Sequence, residues 1–426
     1  MTKRFLSVLL AVLTVVTIIP VSVFADGDIT VSTADELRRL SEAVAGGESY
    51  EGRTVVLAAD IDLGGKSAPW SPIGSSSATF KGIFDGGYHV VSGLYIDSGS
   101  SIGLFGDVNG GEIRNLVVRG EVSGSSNAAG IVGKLTAGKV TNCGNEADVS
   151  GGTNVGGVVG SVNGACTVGG CYNSGAVSGT TGYIGGVTGQ HWRAGVVENC
   201  YNAGTVSGPA TVGGVVGGHK AASPVLSRCY NAGTVVDTAG NSNNIDAVIG
   251  ASRGTNTDCY FISGSGSSTK SGVTEVSSLT AAELGDAFKA DTDGLNGGLP
   301  VLTWQERKPD LIIGSYEAFK AFADSVNDGN SYEGKLVRLA CNVFLGGKSA
   351  PWSPIGSSSA SFKGIFDGGY HVVSGLYISS GSGIGLFGDV NGGEIRNLVV
   401  RGEVSGSANA AGIVGKLTAG KVTNCG

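Results

Sequence analysis

Apolar residues fall along this chain in short clusters of two to four, cut off by glycine, asparagine and serine. The clusters repeat. A Gly-apolar-x-Gly tetrad recurs at Gly103–Gly106, Gly130–Gly133, Gly157–Gly160, Gly186–Gly189 and Gly214–Gly217, a period of 27 to 29 residues. A Cys-Tyr-Asn-x-Gly-x-Val segment follows each of the later tetrads, clearest at Cys171–Val177, Cys200–Val206 and Cys229–Val235. Short β-type segments at a fixed period predict a solenoid. One such block cannot bury its own apolar face, so successive blocks must stack.

The ends of the repeat region read differently. Lys3 and Arg4, then the apolar run Phe5 to Ile19, Pro20 and Val23-Phe24-Ala25 have the form of a secretory signal over 1–25. An uncleaved anchor is the alternative for that segment. Thr33-Ala34-Asp35-Glu36 is a capping box, and Leu37, Leu40 and Val44 at helical spacing predict a helix over 33–45. Strands are expected at 55–57, 61–63, 83–84, 89–91 and 94–96. A second short helix is expected at Ala281 to Ala290.

From Asp28 the chain reads through to Gly144 and then repeats itself from Asp310 to Gly426, at an offset of 282. Between Leu63 and Gly144 only four of 82 positions differ: Thr79/Ser361, Asp97/Ser379, Ser101/Gly383 and Ser126/Ala408. The expected organisation is therefore a leader (1–25), a first repeat domain (26–306) and a truncated second copy (307–426). The second copy stops in mid-block, so the expectation is a fragment of a longer protein.

Composition narrows the class. Glycine numbers 76 without a Gly-X-Y period, which excludes collagen, and the 15% charged fraction with a single Met argues against a helical protein. The formal charge of −7 becomes −9 if Lys3 and Arg4 leave with the leader, which gives nucleic acid no electrostatic footprint.

Phe84-Asp85-Gly86-Gly87-Tyr88-His89, Leu94-Tyr95-Ile96, Gly103-Leu104-Phe105-Gly106 and Asn199 to Val206 resemble the GLUG-motif repeats of bacterial surface proteins. Pro72-Ile73-Gly74 and Gly298 to Gln305 extend the match over nearly everything after the leader. The resemblance implies an all-β, right-handed parallel β-helix, tandemly repeated, with a short capping helix, on an exported protein. Similar repeats accompany the catalytic domain of IgA-peptidase-type metalloproteases.

Within one block, side chains alternate in and out. Cys143, Cys171, Cys200, Cys229 and Cys259 share one position, which is Leu116 in the preceding block, so an apolar interior site is expected. Cys341 answers to Ala59 in the first copy. Free buried thiols are the reading, with disulfides, Cys166–Cys171 among them, and metal as alternatives. Asn145, Asn173, Asn202 and Asn231 are expected at left-handed turns, with amides stacking along the axis. Val122, Val149, Val177, Val206 and Val235 are expected as stacked core. If Cys points in, then Tyr172, Tyr201, Tyr230 and Tyr260 point out. They form an aromatic strip that either binds a ligand or lies beneath a loop.

No HExxH helix follows any of His89, His191, His219 or His371, and no nucleophile elbow, Walker loop or cofactor motif is present. Asp60, Asp62, Asp85, Asp107, Glu112, Arg114, Arg119 and Glu121 are the residues from which a polysaccharide-cleaving groove would have to be built. Asp60 and Asp62 become Asn342 and Phe344 in the second copy. Asp85 suits a turn. Glu112 with Arg114, and Arg119 with Glu121, suit a solvated ion-pair face. The expected function is a secreted or wall-attached, adhesin-like repeat protein that binds host protein, matrix or glycan, or serves as a stalk, without catalysis or cofactor. Any membrane contact would come through the leader or an anchor beyond residue 426. The alternatives are a carbohydrate-active β-helix enzyme and the spacer of a larger surface protease.

Overall fold

The structure, a computed structural model, describes residues 29–221, 223–240, 244–306 and 309–426. The leader expected over 1–25 lies outside the described residues. Strand makes up 49% of the chain and helix 9%, and the strands form a parallel β-solenoid. Two compact units are present, Met1–Gln305 and Glu306–Gly426.

In the first unit, equivalent residues of successive blocks pair in register. Val132 lies beside Val159, Val159 beside Thr188, Thr188 beside Val216 and Val216 beside Ile249. Tyr172, Tyr201, Tyr230 and Tyr260 pair the same way. The stacked Val122, Val149, Val177 and Val206 are buried and Val235 packs against the same core.

Ile29–Val31 begins the stack against Thr54–Leu57. Between them runs the helix Ala34–Ala45, started by the Thr33 and Glu36 capping box. Its stripe of Leu37, Leu40 and Val44 belongs to the same buried core as the rungs. Arg38 donates to the Leu63 and Ala68 carbonyls, and Ser41 to Ser71, which fixes the helix to the loop beside it.

The two sequence anchors turn out to be one device. Asn145 donates to the Asn173 side chain at 2.7 Å, Asn173 to Asn202 at 2.7 Å and Asn202 to Asn231 at 2.8 Å. Each amide also donates to the carbonyl two residues on, Ala147, Gly175, Gly204 and Gly233. This buried ladder runs beneath the first glycine of the last four tetrads, Gly130, Gly157, Gly186 and Gly214. A Cβ at Gly130 would lie 1.8 Å from Asn145 Oδ1, and one at Gly157 2.2 Å from Asn173 Oδ1. Glycine is needed there because the amide occupies the space a side chain would take. The expected left-handed backbone falls elsewhere. Asn142 (φ 53°) and Asn199 (φ 53°), just before the ladder cysteines, adopt it, whereas the four ladder asparagines do not.

The predicted helix at Ala281 to Ala290 is only Ala281–Leu284. Gly285, at φ 86°, closes it by donating to the Ala281 carbonyl, and the chain then enters Phe288–Lys289, antiparallel to Val301–Leu302.

The second unit repeats the opening of the first. Leu311–Ile313 and Leu336–Leu339 pair in parallel around the helix Tyr316–Asn327, which buries Phe319, Phe322, Ala323 and Val326. Among the described residues, no helix is long and apolar enough to cross a membrane.

Candidate functional site

The tyrosine strip is not an open surface. Tyr172 and Tyr201 stack at 5.5 Å between ring centroids, and Tyr201 and Tyr230 at 5.1 Å, nearly parallel. All three are buried and Tyr260 partly so, because the segment from Leu279 to Trp304 lies across them. Leu279, Leu284, Phe288 and Leu302 supply the apolar cover. The hydroxyls are engaged as well. Tyr172 donates to Glu146 at 2.6 Å, Tyr201 accepts from Gln305 at 2.9 Å, and Tyr230 accepts from Asn296 at 2.6 Å and donates to the Pro300 carbonyl. Trp304 completes the cover by stacking on Tyr88 and donating to the Gly170 carbonyl at 2.8 Å. Burial pushes the phenols of Tyr172, Tyr201 and Tyr230 upward. Of the two readings of the strip, the structure gives the covered one.

The carboxylates are spent on structure. Asp85 accepts from the Gly87 amide, Asn115 and Arg114 at 2.9–3.0 Å. Burial pushes its carboxyl up, but these hydrogen bonds outweigh burial and hold it below the ordinary carboxylate range. Glu112 adds a 3.4 Å contact to Arg114 on the same strand face. Asp107 is buried and pairs with Lys134 at 2.8 Å. Arg119 reaches Glu146 on the next rung rather than Glu121, which pairs instead with Lys66 at 3.1 Å. Asp62 accepts from the Gly64 amide in a tight turn. Asp60 accepts from the Val90 amide at 3.0 Å, and Asn342 makes the equivalent bond to Val372 at 2.9 Å. The bond survives the loss of charge, so at this position it needs an acceptor rather than a carboxylate.

All eight cysteines are free thiols, six of them buried, and Cys166 and Cys171 are not bridged. Leu116 lies directly beside Cys143, as the shared apolar site requires. The ladder shares its sulfhydryl contacts: the amides of Cys171 and Cys200 each point at the next sulfur at 3.4 Å. Burial pushes the thiols of Cys143, Cys200 and Cys259 up, whereas at Cys171, between two ladder neighbours, burial acts upward but the hydrogen bonds from Cys143 and Cys200 outweigh it and hold the thiol down.

A different face carries an open groove of about 590 Å³ across successive rungs. Its rim is Tyr183, Trp192, Arg193 and Lys220, and the amides of Asn154 and Asn163 and the hydroxyls of Thr153 and Ser161 also line it. The strand alternation explains the placement. In Thr188–His191 and the residue after it, Gln190 points out, His191 in and Trp192 out. In the next rung Gly218 points out, His219 in and Lys220 out. Trp192 is 45% exposed. The Lys220 ammonium sits 4.3 Å from the Trp192 ring centroid and 5.2 Å from that of Tyr183. Gly218 makes room for this: a Cβ there would come within 2.7 Å of the Tyr183 ring. Among the described residues no carboxylate pairs with Lys220 or Arg193.

Beneath the rim lie His191 and His219, fully buried, their rings 5.6 Å apart. None of their four ring nitrogens has a hydrogen-bond partner among the described residues. Burial lowers the pKa of His191 to about 4, and burial together with the neighbouring His191 lowers that of His219 to about 3. The histidines fill the interior site that Leu135 and Val162 fill in earlier rungs. Among the described residues no cluster of three or more ligating side chains could hold a metal.

The strip that the sequence singled out is thus interior, and the groove that it did not single out is exposed. The signal for the groove was present in the residues after each tetrad. Lys134-Leu135-Thr136 and Ser161-Val162-Asn163 become Gln190-His191-Trp192 and Gly218-His219-Lys220. Aromatic residues and a cation without a carboxylate partner among the described residues enter at outward positions that hold Lys134, paired with Asp107, and small polar residues in earlier rungs.

A parallel β-solenoid with a polar, aromatic-rimmed flank groove is the class this fold and site define. No family model matches the chain, and no curated protein matches it. Among solved structures, a crystal structure of a candidate immunoglobulin A1 protease from Bacteroides ovatus is similar. The likeness covers 66% of this chain and 93% of that one, at 21% sequence identity and a TM-score of 0.49.

Proposed function

We propose that this chain is a repeat module of an exported surface protein, which binds a ligand on the flank of its solenoid and does not transform it. The observation that carries the reading is the groove at Tyr183, Trp192 and Lys220, where an exposed indole shares one rim with an ammonium that has no carboxylate partner among the described residues. Such surfaces hold a ring on an aromatic face and orient it with polar groups around it. Support for a non-enzymatic role comes from the carboxylates, since Asp85 and Asp107 are tied to Arg114 and Lys134 and no carboxylate is among the residues lining the groove. The surface location rests on the basic and apolar leader and on the resemblance to GLUG-type repeats.

The test is an array of glycans and matrix proteins probed with the whole chain, followed by recovery of whatever is bound. The reading predicts saturable binding with the ligand recovered intact. Turnover of a bound polysaccharide would replace it with the carbohydrate-active alternative.

A further inference from the structure

We infer that the flank groove takes an acidic polysaccharide, a chain of pyranose rings bearing carboxylate or sulfate groups. The inference rests on the binding-module reading and names its ligand class.

Charge comes first. The protein has a formal net charge of −7, yet the groove is lined by Lys134, Arg193 and Lys220 and by no carboxylate. Asp107 neutralises Lys134 at 2.8 Å from behind. Lys220 and Arg193 are left without a carboxylate partner among the described residues. In an acidic protein, two such cations on one rim form a local site for an anion.

Shape comes next. The Lys220 ammonium is held between the faces of Trp192 and Tyr183, 4.3 and 5.2 Å from their centroids. It is therefore positioned before any ligand arrives, which lowers the entropy lost on binding. Trp192 is 45% exposed, so part of its indole remains free for the apolar face of a sugar ring. Asn154 and Asn163 then offer donors and acceptors to ring hydroxyls. The groove is open and crosses several rungs at the repeat spacing, which suits an extended chain better than a compact molecule.

The experiment is calorimetric titration of the whole chain with a hexagalacturonate, its neutral galactan counterpart, a sulfated hexasaccharide and an oligonucleotide of equal charge. The uronate or the sulfated sugar should bind, and the one that binds more tightly identifies the anionic group. Trp192→Ala and Lys220→Gln should each weaken binding about tenfold, the value of a stacking or cation contact near 1.4 kcal/mol. Lys66→Gln, at an exposed lysine outside the groove, should leave it unchanged, and circular dichroism should show each variant folded. Added salt should weaken the uronate complex. Equal binding of the neutral hexasaccharide through Trp192 would overturn the acidic class and leave the binding reading standing. Tighter binding of the oligonucleotide would overturn it as well. No binding of any sugar, or binding unchanged in both rim variants, would overturn the groove itself.

Discussion

A buried thiol is a poor nucleophile because the thiolate is costly to form away from water. Each ladder sulfur also lies close to a carbonyl two residues earlier, as Cys200 does to Glu198 at 3.1 Å, which disfavours the anion further. Thiol titration should therefore separate the cysteines into two groups. Cys341 and Cys425, which are only partly buried, should react in the native protein, and Cys143, Cys166, Cys171, Cys200, Cys229 and Cys259 only after denaturation. Rapid native labelling of the ladder would contradict this packing. The ladder was legible in the sequence because Leu116 occupies the same site, and a site that takes leucine is apolar. The inward direction of His191 and His219 could be read in the same way, from Leu135 and Val162. A loop over the tyrosines was one of the two readings the sequence offered, but the segment that supplies it could not be read, since Tyr201 meets Gln305, which is 104 residues distant.

Between neighbouring rungs, the asparagine and histidine stacks pull stability in opposite directions. Asn202 donates to Gly204 and Asn231 and accepts from Asn173. Asn202→Ala leaves buried partners unsatisfied and should cost about 2 kcal/mol or more in urea unfolding. The histidines act through pH. Their folded pKa values, about 4 and about 3, lie below the ordinary 6.5, so the unfolded chain binds more protons between these values. Above pH 6.5 both states are neutral and the pair adds no pH dependence. As pH falls from 6.5 toward 3, the unfolded state is favoured and stability drops. His191→Val with His219→Val should flatten that part of the pH profile, and an unchanged profile would mean the rings are not buried neutral. The cover segment gives a third test. Trp304→Ala should cost about 2 kcal/mol through lost packing and a lost hydrogen bond, and should speed proteolysis between 277 and 305. The sequence predicted more helix there than forms, because Gly285 was read as part of the helix and in fact ends it.

At the scale of the whole chain, the repeat dictates where a binding surface can lie. Most interior positions are apolar or pair along the axis, as cysteine and asparagine do, and His191 and His219 are the exception, buried without hydrogen-bond partners among the described residues. One outward row is closed by the cover over Tyr172, Tyr201 and Tyr230. Specific chemistry can then enter at an outward position only where a rung departs from the repeat, as at Trp192 and Lys220. The period and the stacking of short strands follow from the sequence pattern, and the parallel β-helix is what the resemblance to GLUG-type repeats implied. The groove needed the structure, because its rim joins residues from different rungs.

If the proposed function holds, ligand meets the Trp192 face while the tyrosine face stays internal. Hydrogen exchange of the whole chain, with and without hexagalacturonate, tests it most directly. Added protection is expected at 183–193 and 216–220, with no change at 277–305. Protection or loosening confined to 277–305 would contradict it, since the ligand would then be entering beneath the cover and binding the tyrosines.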